Sequence, residues 1–441
     1  MDMSDIQLEP ISRPFTATMR PPGSKSLTNR ALVLAALAEG ACELDNVLFA
    51  EDTQVMLESL ARLGFELSTD PAAAKVRVAG RGGMIPSDSA ELFCGNSGTT
   101  IRFLTALCAL GRGRYTLDGI PRMRQRPIGP LVIGLAHLGA RASYLIEKGF
   151  PPVVVMADRL PGGLLKWEAA ASSQFLSAIL MIGPYARHEL SVDLVGKQSS
   201  WPYVAMTMRL MDIFGSTPEL IRDPRTQEPK RIIIPQGRYG PTTYSVEPDA
   251  SSASYFLAAA AINPGSKISI SGLGKSSLQG DVAFADVLHS MGADLVFGSD
   301  FITLSGPNRL QGIETDLTGM PDMAQTLAVA ALFAEGPTTI TGLSSLRLKE
   351  TDRLAALSAE LTRLGANVEI EDDATLVIEP PTHLNSAAIN TYDDHRMAMS
   401  FALAATRRNG IVIKDVECVA KSYPRYFDDL RNVLATTVPI G

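Results

Sequence analysis

The chain has 441 residues, too many for one ordinary hydrophobic core, so two or three domains are expected. Its 46% hydrophobic and 20% charged residues describe a soluble globular protein, and no apolar run approaches the roughly 20 residues that span a bilayer. A net charge of −7 argues against a nucleic-acid partner, so any anionic ligand must be met by a local cluster of cations. Met1 to Arg20 has no basic start followed by an apolar stretch, which reads as a cytoplasmic chain without a signal or transit peptide. Cys42, Cys94, Cys108 and Cys418 have apolar neighbours and no Cys-x-x-Cys spacing, and are expected to be reduced structural thiols. The five histidines are scattered without zinc-ligand spacing, so no metal site is expected.

In chain order, a short strand at Ile6–Pro10 comes first, followed by the hinge-like Pro21-Pro22-Gly23. Then one unit recurs six times: a polar helix start, a short apolar helix, a small-residue turn, a strand, an amphipathic helix and a strand. The strands after the turns centre on residues 44, 117, 192, 270, 340 and 413, which stand 73, 75, 78, 70 and 73 apart. Such regular spacing argues for six copies of one supersecondary unit. Amphipathic helices are clearest at Asp52 to Leu63, Asp281 to Met291 and Asp352 to Leu364. The closing strands are the β-branched runs at 76–78, 153–155, 232–234, 302–304 and 376–378. Ser216 to Lys230 is polar, carries three prolines and reads as a surface loop. The sixth unit reaches the C-terminus without a closing strand, so the strand at Ile6–Pro10 is expected to complete it. The chain then crosses twice, giving an inserted domain of 21–245 and a discontinuous one of 1–20 plus 246–441. The fold class is α/β, with two similar domains of three βαβαββ-type units each.

The apolar helices, such as Ala31 to Leu37 and Phe256 to Ala261, have no polar face and must be buried. Their N-terminal amides then need partners, and converging starts rich in Ser, Thr, Gly, Lys and Arg make anion sites. The six starts are Gly23-Ser24-Lys25-Ser26, Asn96-Ser97-Gly98-Thr99, Ser172-Ser173-Gln174, Ser251-Ser252, Pro321-Asp322 and Asp393-Asp394-His395-Arg396. Plain N-capping by Ser, Thr and Asp is the simpler reading, but it leaves Lys25, Arg30 and Arg396 unexplained. Taken singly, Pro121 to Ile128 with its three arginines could be a solvated basic turn. Lys349 to Arg353 could likewise be a surface ion-pair cluster, and Asp322 a simple N-cap. Jointly, every special segment lies at the same end of the repeat. Two three-unit domains facing each other would bring Lys25, Arg30, Arg126, Lys349, Arg353, Arg396 and Lys421 around Asp322 and Glu350. Cations with one or two acids suit chemistry on a phosphorylated carboxylic acid.

The ordered motifs resemble the 5-enolpyruvylshikimate-3-phosphate synthase family from about Leu8 to Leu434. They are Pro22-Gly23-Ser24-Lys25-Ser26, Gly95-Asn96-Ser97-Gly98-Thr99, Arg126-Pro127-Ile128-Gly129, Ser172-Ser173-Gln174, Asp249 to Ala253, Lys349 to Arg353, Asp394-His395-Arg396-Met397 and Ala420-Lys421. The resemblance implies a cofactor-free transfer between two small molecules, phosphoenolpyruvate and shikimate 3-phosphate, in the shikimate pathway, by an enzyme expected to be monomeric. Carried over by position, Lys25, Gly98, Arg126, Gln174, Arg353, Arg396 and Lys421 would hold phosphoenolpyruvate. Ser26, Arg30, Ser172, Ser173, Ser200, Tyr203 and Lys349 would hold shikimate 3-phosphate, with Thr99, Asp322 and Ser345 also in the substrate-binding set. Asp322 is the candidate base, and Glu350 the candidate acid with Lys25 as alternative. Phe103, Ser97 and Ser345 stand where many members have proline, alanine and asparagine, which puts inhibitor response, including to glyphosate, in doubt. The related UDP-N-acetylglucosamine enolpyruvyl transferases usually carry a reactive cysteine in the loop matching Pro121 to Arg126, and this chain has none there. A non-catalytic repeat protein for phosphorylated ligands would be expected to lack Asp322 or Glu350.

Overall fold

Six apolar helices organise the chain: Lys25–Leu37, Gly98–Cys108, Ser173–Ile182, Ala250–Ile262, Ala324–Ala331 and His395–Ala405. Nearly all their residues are buried, as their lack of a polar face requires. The computed structural model describes residues 5–436. It divides into two units, one of Gly23–Val246 and one formed by the segment up to Pro22 together with Glu247 onward. Each unit contains three of the helices.

Every apolar helix is followed by the central strand of a small mixed sheet. In the first, Ala41–Asp45 lies parallel to Thr243–Ser245 and antiparallel to Lys75–Ala79, which carries Glu66–Asp70 at the edge. The same order, with one parallel and two antiparallel pairings, recurs around Arg112–Asp118, His188–Val195, Lys267–Ser271 and Thr338–Thr341. The sixth sheet is shorter: Val412–Ile413 pairs parallel with Ala388–Ile389 and antiparallel with Ile6–Gln7, so the N-terminal strand does complete the last repeat. Circular closure is common to both units. Thr243–Ser245 returns to the first sheet of its unit, and Thr16–Met19 supplies the parallel strand beside Lys267–Ser271.

Two segments differ from their expected form. Ser216 to Lys230 is not a plain loop: Glu219–Arg222 is a strand paired antiparallel with Pro229–Ile234. Its polarity belongs to an edge strand and a tight turn, in which the Asp223 carboxylate accepts from the amides of Arg225 and Thr226. The expected helix at Asp281 to Met291 is broken into a 3-10 turn, Gly280–Ala283, and a helix of only seven residues, Phe284–Ser290. The helices at Glu51–Arg62 and Arg353–Arg363 form as expected.

The apolar helices also carry a polar seam. Ser254, Thr326 and Ser400, one from each apolar helix of the discontinuous unit, form a buried chain of hydroxyls at 3.2 and 3.4 Å. All four cysteines are free thiols, and three of them are buried.

At the C-terminal ends of two apolar helices a glycine packs closely on the last carbonyls. Gly80 lies against the carbonyls that end the Lys25–Leu37 helix, where an added Cβ would sit 2.3 Å from Ala38 O and 2.6 Å from Ala35 O. Gly306 repeats the arrangement on Ala260 O, at 2.2 Å. Gly306→Ala should therefore lower stability by about 1–3 kcal/mol, the range for overpacking a filled site. Gly237→Ala, which meets nothing within 4 Å, should be close to neutral. Equal urea midpoints for the two variants would contradict the close-packed capping.

Candidate functional site

In the Gly23–Val246 unit, the chemistry gathers at the starts of three apolar helices. Ser24 caps the first, its Oγ accepting from the Leu27 amide at 3.4 Å. One residue on, Lys25 is half-buried and its Nζ lies 3.0 Å from Asp52 Oδ2. Arg30 is wholly buried. Its Nε donates to Thr207 Oγ1 at 2.7 Å, Nη1 to Ser26 O at 3.0 Å and Nη2 to Ser177 Oγ at 3.3 Å. Its guanidinium also stacks over Phe103, 5.1 Å from the ring centre. Burial pulls the Arg30 pKa down to about 10, partly opposed by Tyr203.

At the second helix start, Arg126 packs directly over Gly98, where a Cβ would lie 2.7 Å from Arg126 Nη2. Any side chain at 98 would displace that guanidinium. Arg126 Nη1 is held by Asn96 O at 2.8 Å and Asn96 Oδ1 at 3.1 Å. Of the three clustered arginines only Arg126 is buried, and Arg124 turns outward to Asp118. Thr99 accepts from Asn29 Nδ2 at 2.7 Å. At the third start, Ser172 Oγ accepts from the Gln174 amide at 3.3 Å, and Ser173 opens the helix. Ser200 sits in the left-handed region ahead of the Trp201–Ile213 helix, which carries Tyr203. That position tolerates few non-glycine residues, so it fixes where the helix begins.

In the discontinuous unit, the carboxylate of Asp322 is the hub. Lys349 Nζ and Arg353 Nη1 reach its Oδ1 at 3.1 and 3.0 Å, and Arg396 Nη2 reaches Oδ2 at 3.2 Å. Asp322 therefore is not an N-cap: it stands in a 3-10 turn, Pro321–Met323, with its side chain given to cations. Arg353, only 1% exposed, also takes Glu350 at 2.9 Å and Asp394 at 2.7 Å. The segment Lys349 to Arg353 is thus a buried ion network rather than a surface cluster. Asp394 caps the sixth helix, accepting from the Arg396 amide at 2.9 Å, and Arg396 Nη1 donates to Tyr255 at 3.3 Å. Ser345 and Lys421 are buried, each in a 3-10 turn of its own.

Electrostatics follow from these distances. Burial alone would raise the Asp322 pKa, but Arg396, Lys349 and Arg353 together outweigh it and hold the carboxyl well below its ordinary 3.8. Burial lowers the Lys349 pKa, against the opposing pull of Asp322. It likewise works against the Arg353 guanidinium, yet Asp394, Glu350 and Asp322 overcome it and raise that pKa.

Several supporting residues escaped the sequence reading. Asp52 is the buried counter-ion of Lys25, and its only signal was an acid in the first turn of an amphipathic helix. Arg102 donates from Nη1 to Gln174 Oε1 at 2.6 Å and from Nη2 to Pro127 O at 3.0 Å, and stacks on Phe175. A lone charge in an otherwise apolar helix could have marked it. Buried Glu360 accepts from Tyr392 Oη at 2.7 Å and from Asn390, fixing the left-handed pair Tyr392–Asp393 just ahead of Asp394. Nothing local in the sequence announces that long-range anchor.

Two outcomes follow. Asp394→Ala leaves Arg353 buried without its main partner and should cost about 3–5 kcal/mol in denaturant unfolding; a loss under 1 kcal/mol would refute the network's importance. Because the folded pKa of Asp322 lies below the unfolded one, its stabilisation is complete above about pH 4 and is lost as pH falls through the folded value. The stability gap between wild type and Asp322→Asn should therefore narrow only in acid below about pH 4. A gap already closing near neutrality would contradict the depressed pKa.

Comparison with known proteins places the chain in a family. The family model described as EPSP synthase (3-phosphoshikimate 1-carboxyvinyltransferase) matches residues 10–430. A 3-phosphoshikimate 1-carboxyvinyltransferase of a Sulfurovum species is 45% identical over 434 residues, covering 98% of this chain and 99% of its own length. The chloroplastic enzyme of that name from Arabidopsis thaliana is 45% identical, covering 98% of this chain and 84% of its own length. The solved structure of EPSP synthase from Acinetobacter baumannii superposes with a TM-score of 0.79 at 26% identity, covering 99% of both chains. The chain therefore belongs to the EPSP synthase family of 3-phosphoshikimate 1-carboxyvinyltransferases.

Proposed function

We infer that this chain transfers the enolpyruvyl group of phosphoenolpyruvate to the 5-hydroxyl of shikimate 3-phosphate, releasing phosphate, in the shikimate pathway towards chorismate and the aromatic amino acids. The observation that carries the reading is the Asp322 carboxylate held by Lys349, Arg353 and Arg396 within a chain of this family. In role, Lys25, Gly98, Arg126, Gln174, Arg353, Arg396 and Lys421 hold phosphoenolpyruvate. Ser26, Arg30, Ser172, Ser173, Ser200, Tyr203 and Lys349 hold shikimate 3-phosphate, with Thr99 and Ser345 beside them.

Protonation of the phosphoenolpyruvate methylene, by Glu350 or Lys25, makes its C2 electrophilic. Asp322 takes the proton of the attacking 5-hydroxyl. The tetrahedral intermediate bears a carboxylate and two phosphates, which the cations stabilise. The C2–O bond to phosphate then breaks and the methyl group returns its proton. A carboxylate with a strongly depressed pKa is a poor base. Arriving phosphate and carboxylate groups compete for Lys349, Arg353 and Arg396, and so raise the basicity of Asp322 when the acceptor hydroxyl is in place. The same reading takes the enzyme as a cytoplasmic monomer acting on small molecules. The net charge of −7 fits that partner choice, and no described helix is long and apolar enough to cross a membrane.

Phosphate release should need both substrates together; release from phosphoenolpyruvate alone at a comparable rate would overturn the reading. Asp322→Asn should bind shikimate 3-phosphate while turnover falls roughly 10²-fold or more, the scale for losing a general base. Lys25→Ala should weaken both binding and turnover, since it acts in ground and transition states. Near-normal turnover of Asp322→Asn would move the base role elsewhere.

A further inference from the structure

The Gly23–Val246 unit has a second basic region, at the opposite ends of its buried helices. A cavity of about 1070 Å³ is lined by the segments that follow all three: Glu39-Gly40, Leu110 to Arg112 and Pro184-Tyr185. The first helix runs 13 residues, so this cavity lies about 20 Å along the helix axis from Lys25. None of the residues assigned to the reaction lines it.

Its charge is unusual for an acidic chain. Arg81, Arg112, Arg159 and Arg238 line it against two acids, Glu39 and Asp88. Arg238 is answered by Glu39 at 2.6 Å, and Arg81 by Glu66. The side chains of Arg112 and Arg159 have no hydrogen-bond or ion-pair partner among the described residues. Asp158, the cross-strand neighbour of Arg112, is instead turned to Arg187. Arg112 and Arg159 are held close by backbone, since the Arg159 amide donates to Gly111 O at 2.9 Å.

Helix C-termini ordinarily present negative carbonyl ends, which would repel an anion. Here they are covered. The amides of Arg81, Gly82 and Gly83 donate to Ala36, Ala38 and Leu37 carbonyls at 2.8–3.0 Å, and the Tyr185 hydroxyl donates to Leu37 O. With those carbonyls satisfied, the unpaired guanidiniums set the local field. The volume suits a molecule much larger than a single phosphate, and Ile85, Met84 and Leu110 supply apolar wall.

We propose that this cavity is a second anion-binding site, separate from the reaction, for a small molecule carrying at least two phosphate or carboxylate groups. Arg112 and Arg159 each present a planar fork suited to such groups. Exposure of both side chains makes the binding moderate in strength and sensitive to salt.

Isothermal titration with pyrophosphate and with citrate tests this, on wild type, Arg112→Ala/Arg159→Ala and Arg112→Lys/Arg159→Lys. Both arginines are exposed, so the variants should keep the wild-type unfolding temperature and phosphate-release rate without probe. Wild type should bind more equivalents of one probe than the double alanine variant does, the extra class weakening at least tenfold. The double lysine variant should retain part of it. The probe that shows the difference identifies the anionic group. Identical stoichiometry and affinity in wild type and the double alanine variant, for both probes, would overturn the proposal. Because turnover is read separately, that outcome leaves the assignment of the reaction untouched.

Discussion

A helix with no polar face can expose only its ends, and six such helices determine where this chain can do chemistry. Burying Lys25–Leu37, Ala250–Ile262 and the others on all sides removes every lateral surface from solvent. Their first amides and last carbonyls still need partners. At the C-terminal ends of two of them a glycine, Gly80 or Gly306, lies on the last carbonyls, and no larger residue would fit without a shift. At the N-terminal ends of four of them the partners are the side chains of Ser24, Ser172, Asp249 and Asp394, and residues proposed for the reaction stand beside these caps.

The cost of that arrangement is borne by ion networks. Arg353 is buried among Asp322, Glu350 and Asp394, and such a network is stable only when every charge is answered. It also sets the chemistry. Three cations on one carboxylate keep Asp322 ionised and weakly basic in the empty protein. In the proposed reaction anionic substrates relieve that by drawing the cations to themselves, so one set of interactions would serve stability in the empty protein and reactivity in the loaded one. The inserted unit follows the same logic with Lys25 on Asp52 and Arg126 on Asn96.

Much of this was legible beforehand because the repeat is periodic. The central strands, the apolar helices and the closing of the last sheet by Ile6–Gln7 all follow from spacing and hydrophobicity. The hairpin within Ser216 to Lys230 was misread because three prolines outweighed the repeat, which required an edge strand there. Taken singly Asp322 reads as a cap because its cations lie 27, 31 and 74 residues away, and only the joint pattern of the helix starts groups them with it. Asp52, Arg102 and Glu360 were missed for the same reason: each matters through a partner distant in sequence. Arg30 was legible as special, but not that it is wholly buried against Thr207 and Ser177.

In the proposed reaction, charge stabilised at the helix starts allows addition and then elimination at the phosphoenolpyruvate methylene. Running the reaction in deuterium oxide and following the product's vinyl protons by NMR tests it most directly. Transient conversion of the methylene to a methyl group predicts deuterium in the product's vinyl group. A vinyl group that stays fully protiated at complete conversion would contradict the mechanism.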